Sequence, residues 1–142
     1  MKLKQYPKYR ESNVEWIGKI PEEWEVKQFK INFKYKKGKI PADLEETSGE
    51  GFLPYLSMEY LRGATEFPFF SNDLNAVKVR DEQLLLLWDG SNAGEFILGK
   101  EGYLSSTMVK LEIEDLNKTY SKYLCLAFEQ LLRDLTIGMG IP

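Results

Sequence analysis

Apolar positions along this chain alternate for most of its length and take up helical spacing only near the end. Trp24 and Val26, then Phe29, Ile31, Phe33 and Tyr35, recur at every second residue, with a phase slip at Gln28 and Phe29. Strand side chains point to opposite faces in turn, so this stretch predicts two short strands joined by a bulge or a helical turn. The glycine and proline of KKGKIP end it, and the polar, acidic ADLEETSGEG that follows predicts the most exposed loop. FLPYL resumes as a short strand through Tyr55 and Leu56, and residues 63–75 read as a loop with aromatic anchors. AVKV predicts another short strand. EQLLLLW is apolar without alternation, the mark of a strand buried on both faces. GEFILG is its return strand. In STMVKLEIE, Val109, Leu111 and Ile113 oppose Met108, Lys110 and Glu112, a half-buried strand.

The last element is a helix over about 118–135. Tyr120, Leu124, Ala127, Phe128, Leu131 and Leu135 share one face at 3.6-residue spacing, and Asn117 or Thr119 suits its N-cap. Cys125 lies beside that face as a packing residue. The closing TIGMGIP carries Gly and Pro exit signals that lead to no further element, which predicts a chain cut before a following segment. At the other end, residues 1–21 read as an extended arm that Trp16 and Trp24 pin to the core; a surface aromatic pair for a partner is the other reading. The fold class expected is α+β: a twisted mixed β-sheet of short strands, an N-terminal arm and a C-terminal packing helix, in one domain spanning 1–142.

Composition narrows the chemistry. A chain of 142 residues suits one domain with a real core. The absence of histidine removes the commonest general base, every Ser-His-Asp or Cys-His arrangement, and histidine metal ligation. One cysteine allows no internal disulfide, which fits reduced, cytoplasmic surroundings. No apolar run approaches the roughly 20 residues needed to span a bilayer, and MKLKQYPKYRES has no apolar h-region, so no signal peptide is expected. The net charge of −3 argues against a nonspecific nucleic-acid coat, but the charge is uneven. Residues 1–42 hold eleven Lys/Arg against five Asp/Glu, net +6; residues 43–142 hold eight against seventeen, net −9. Residues 27–39 contain six lysines and no acid, a block suited either to a phosphate backbone or to a solvated face.

The segment LLLLWDGSNAGEF concentrates the functional question. A phosphate loop needs a Lys-Ser/Thr pair and a following helix N-terminus, and Gly90 and Gly94 have neither after them. Asp89 and Glu95 are a possible carboxylate pair without a third ligand, and a plain structural turn is the bland alternative. Base reading explains the residue types best. Asn and Gln match the adenine edge, Arg and Lys the guanine edge, Asp and Glu the cytosine amino group, and Ser either. Asp89, Ser91 and Asn92 form one such set; Ser57, Glu59, Tyr60 and Arg62 a second; Ser105, Ser106 and Thr107 a third.

The stretches VEWIGKIPEEWEVK, KKGKIP, LPYLSMEYLRG, LLLLWDGSNAG, GYLSSTMVKL and GMGIP, in this order and spacing, resemble the N-terminal target-recognition domain of type I restriction–modification specificity subunits. The resemblance implies a non-catalytic subunit with two such domains, each followed by a long helix. Each domain would read one half of a bipartite double-stranded DNA site. Methyltransferase subunits would methylate adenine with S-adenosylmethionine, and motor–nuclease subunits would use ATP and magnesium; no cofactor would be held by this chain, and no membrane is involved. The spacer helix and second domain are missing from the pattern. On this reading Ser57, Glu59, Arg62, Asp89, Ser91 and Asn92 meet base edges, with Tyr60, Ser105, Ser106 and Thr107 as second choices, and Lys36, Lys37 and Lys39 touch phosphates. The alternatives are a protein–protein interaction module, or a remnant half-subunit without DNA-reading activity; a stand-alone enzyme ranks behind both.

Overall fold

The computed structural model describes residues 5–28, 33–66, 68–113, 118–127 and 129–138, with backbone alone at 118–121, 124, 132 and 135–138. Its internal packing divides into two compact units, residues 1–32 and 33–142.

The first unit is a hairpin where an extended arm was expected. Strand β1 (Tyr9–Glu11) pairs antiparallel with β2 (Lys19–Pro21), Arg10 opposite Ile20. Ser12 organises the connection: its hydroxyl both accepts from the Val14 amide and donates to the Val14 carbonyl, and its amide reaches the Gly18 carbonyl at 2.9 Å. No strand forms at Trp24 and Val26. The Trp24 amide closes a turn onto the Pro21 carbonyl, and the Arg10 guanidinium takes the Trp24 carbonyl, so neither backbone group is left for a ladder. Within this unit Trp16 and Trp24 are 55% and 46% exposed, and Trp24 meets Tyr6 edge-on at 5.6 Å. The alternation at Phe29 and Ile31 lies outside the described residues.

The second unit holds two four-stranded sheets where one was expected. The first has the order β3 (Phe33–Lys37), β10 (Met108–Ile113), β7 (Leu84–Leu87), β8 (Phe96–Leu98), antiparallel throughout. The second runs β5 (Phe70–Ser71), β4 (Leu53–Leu56), β9 (Gly102–Leu104), β6 (Lys78–Val79) and is mixed, because β4 and β9 are parallel. The leucine run explains why a single layer cannot suffice. On β7, Leu85 and Leu87 join Met108 in a cluster with Leu56, Val77, Val79 and Leu104, most of it from the second sheet. Leu84 and Leu86 face the other way, into a cluster with Phe33, Phe96, Val109 and Leu111 that Cys125 and Leu126 cover. A strand apolar on both faces needs a layer on each side. β10 alternates toward its end, with Leu111 buried and Glu112 exposed, but at its start Met108 and Val109 are both buried, Met108 against the second sheet.

Helical backbone continues as α2 (Lys118–Ala127) and α3 (Glu129–Gly138), so it runs past the expected end at 135. Among the side chains described there, Ala127 and Leu131 of the expected apolar face are exposed, and Cys125 is buried. Tyr120, Leu124, Phe128 and Leu135, and Asn117 as a cap, lie outside what is described. Among the described side chains, Cys125 is buried and Glu129 and Arg133, at i+4 and i+8 from it, are half-buried on the same line. A carboxylate belongs on it because Glu129 Oε2 accepts the Phe96 amide of edge strand β8 at 2.8 Å.

Candidate nucleic-acid interface

Three segments far apart in sequence meet around an open groove of about 330 Å³. The first wall begins where β4 ends. Ser57 caps a four-residue helix, α1 (Met58–Leu61); its hydroxyl accepts the Tyr60 amide at 3.2 Å. Met58, Tyr60 and Leu61 pack on the core; Glu59 and the C-cap residue Arg62 line the groove, together with Ser57 and part of Met58. This helix was not anticipated; the signal for it was Ser57 as a cap residue with Glu59 in the first turn.

The second wall is the tip of the β7–β8 hairpin. Leu87 and Glu95 close it, with Leu87 N to Glu95 O and Gly94 N to Leu87 O both at 2.8 Å. Gly90 and Gly94 take φ of +101° and +95°, conformations that side-chain-bearing residues rarely adopt, and this lets six residues turn within so short a tip. The amides of Trp88 and Asp89 both donate to the Thr107 carbonyl, at 2.8 and 3.1 Å. The tip is therefore anchored to the loop before β10, and Asp89, Ser91 and Asn92 are exposed in the groove. Ser105 and Thr107 lie on its floor, their hydroxyls 2.9 Å apart.

Not every expected residue lies in the groove. Tyr60 packs on the core with Lys100 Nζ 4.7 Å from its ring centre. Ser106 is half-buried outside the lining. The three lysines separate. Lys37 Nζ lies 2.7 Å from Asp89 Oδ2 at the groove's edge, whereas Lys36 falls on the opposite face of β3. Lys39 sits near Asp73, whose carboxyl is held below its usual range by the amides of Asn75 and Ala42 and then by the Lys39 charge. Gly38 lets this lysine segment dock: a Cβ there would lie 2.0 Å from the Ser105 carbonyl oxygen.

Two features escaped the sequence reading. Tyr35 and Trp88, both exposed, stack at 6.0 Å and 11° beside the Lys37–Asp89 pair. The strand period places Tyr35 and Lys37 on one face, but nothing local links either to Trp88. The second is Glu95, which pairs with Arg62 rather than with Asp89. Each of the two carboxylates once considered as a pair thus has its own cation. The groove mixes donors and acceptors of both charges, which suits base edges better than a uniformly anionic backbone. Among the described residues, no helix is long and apolar enough to cross a membrane.

The family model described as type I restriction modification DNA specificity domain matches residues 21–142. The type I restriction enzyme MjaVIII specificity subunit of Methanocaldococcus jannaschii is 44% identical over 138 residues, covering 94% of this chain and 32% of that subunit. The chain thus spans about a third of the length of this relative.

Proposed function

Because the chain belongs to the family of type I restriction modification DNA specificity domains, we propose that its groove reads one half of a bipartite DNA site from the major groove. The family selects sequence and performs no bond-making step, so binding is what the residues must explain. The observation that carries the reading is the convergence of α1, the hairpin tip and the Ser105–Thr107 loop on one groove. Their side chains include partners for each base edge: Arg62 for guanine, Asn92 for adenine, Glu59 and Asp89 for the cytosine amino group. The part of the β7–β8 hairpin available to a DNA groove is its exposed tip, because β7 is also paired with β10 and covered on both faces.

Lys36 and Lys39 lie outside the groove lining and would contact phosphates, fixing position without selecting sequence. Lys37 would do so by leaving Asp89. On this reading the domain adopts the target-recognition arrangement of specificity subunits. It serves a complex in which methyltransferase subunits modify adenine with S-adenosylmethionine and motor–nuclease subunits use ATP and magnesium. The chain itself holds none of these cofactors, and it works in the cytoplasm.

Two substitutions separate positioning from reading. Lys36→Ala should weaken binding about equally on all duplexes and reduce the salt slope by roughly one. Arg62→Ala should instead relax preference at one base-pair position, at a cost of about 1–3 kcal/mol for the preferred base. If both variants lose affinity uniformly across sequences, the groove does not read bases.

A further inference from the structure

Glu95 belongs neither to the base-edge set nor to the groove lining, yet it holds the cation of that lining. Its backbone is fixed twice at the foot of the hairpin tip: its amide donates to Asn92 O at 3.2 Å, and its carbonyl accepts from Leu87 N at 2.8 Å. From there its carboxylate, only 21% exposed, reaches across to α1 and engages Arg62 Nη2. Arg62 is fixed at its other end, because its amide donates to the Met58 carbonyl at 2.9 Å and the next amide, that of Gly63, donates to the Tyr60 carbonyl at 3.1 Å. Its side chain is 42% exposed, and among the groove-lining residues it is the one with a positive charge.

We infer that Glu95 is a positioning residue for specificity: its carboxylate holds the Arg62 guanidinium in the groove and offsets its charge. The inference rests on the base-reading function proposed above. A long arginine side chain is otherwise free among many rotamers, and ordering it beforehand removes a cost from binding. The contact engages one nitrogen, and a guanidinium has five N–H donors, so donors remain for a base edge. The neighbouring negative charge also weakens the pull of Arg62 toward any phosphate, which would hold the domain on unrelated DNA. Glu95 therefore acts on the contrast between specific and unrelated sequence, not on affinity alone.

The test uses the whole chain as wild type, Glu95→Ala, Glu95→Gln, Arg62→Ala and the Glu95→Ala/Arg62→Ala double variant. The probes are the duplex that the wild type enriches from a randomised pool and a scrambled duplex of the same length, at one salt concentration. Glu95→Ala should lower the specific-to-scrambled affinity ratio about tenfold, within the range of one base contact, while raising affinity for the scrambled duplex. Arg62→Ala should lower the ratio as much, and the double variant should lose no more than either single change. Glu95→Gln keeps an acceptor without the charge and should fall between wild type and Glu95→Ala; it also carries the test if Glu95→Ala fails to melt cooperatively. A purely structural role would lower both affinities alike, and that outcome overturns the inference, as does full additivity in the double variant. A wild type that enriches no sequence overturns the base-reading function itself. A discriminating wild type with an equally discriminating Glu95→Ala overturns the inference alone.

Discussion

Lys37 Nζ lies 2.7 Å from Asp89 Oδ2, joining the last residue of β3 to the tip of the β7–β8 hairpin. The two side chains are 50% and 52% exposed, and exposed pairs contribute about 0–1 kcal/mol. The relationship therefore matters for the ligand more than for the fold. On the proposed function, Lys37 would reach a phosphate by leaving Asp89, and the same departure would free Asp89 to accept from a base amino group. Asp89→Asn should leave unfolding free energy within about 1 kcal/mol of wild type in urea melts. On a scrambled duplex it should steepen the dependence of log K on log salt by about 0.9, one phosphate contact more. An unchanged slope would show that Lys37 already contacts phosphate in the wild type or never does.

Gly38→Ala should be among the more damaging single-methyl additions. The added Cβ would meet the backbone oxygens of Ser105 and Leu104 at 2.0 and 2.6 Å, neither of which can swing aside as a side chain would. Overpacking of this kind costs about 1–3 kcal/mol. The same change shifts the loop that anchors Asp89, so specific DNA binding should fall with stability. Urea denaturation of the variant checks the first effect, and a midpoint equal to wild type would contradict the close approach.

Burial of Cys125 pushes its thiol up to about 11, from an ordinary value of 9.0. The folded state thus keeps the proton that the unfolded chain has already lost. The contribution is fully present below about pH 9 and disappears as pH rises toward 11, because there the unfolded state binds fewer protons. Thermal melts between pH 8 and 11 should show this loss, and Cys125→Ala should flatten that part of the profile. Reaction with a thiol reagent at pH 8 should be slow in the folded protein and fast in urea. Rapid labelling of the native chain would contradict the buried placement.

Much of the second unit was legible because its strands carry their own burial pattern. Four consecutive leucines announce two covered faces, and the structure supplies a sheet for one and a helix for the other. Val109, Leu111 and Ile113 likewise declared the inner face of β10 by simple alternation. What could not be read were features set by partners distant in sequence. The α3 line through Glu129 depends on an edge amide at Phe96, and no helical periodicity encodes that need. Trp24 and Val26 alternate as a strand would, but Arg10 takes the carbonyl that a ladder requires. For the groove, residue chemistry picked out three segments that the structure brings together, although Tyr60 and Ser106 of those sets fall outside the lining. It missed Glu95 and the Tyr35–Trp88 stack, because the reason for each lies across the groove.

Whether the groove reads sequence can be decided by selection. The whole chain and a variant with Arg62, Asp89, Ser91 and Asn92 all changed to alanine would each be presented with a randomised duplex pool at fixed salt, and the bound DNA sequenced. The wild type should enrich a short, defined half-site, and the variant should retain weak binding with the enrichment lost. The same half-site enriched by both proteins would contradict base reading by the groove.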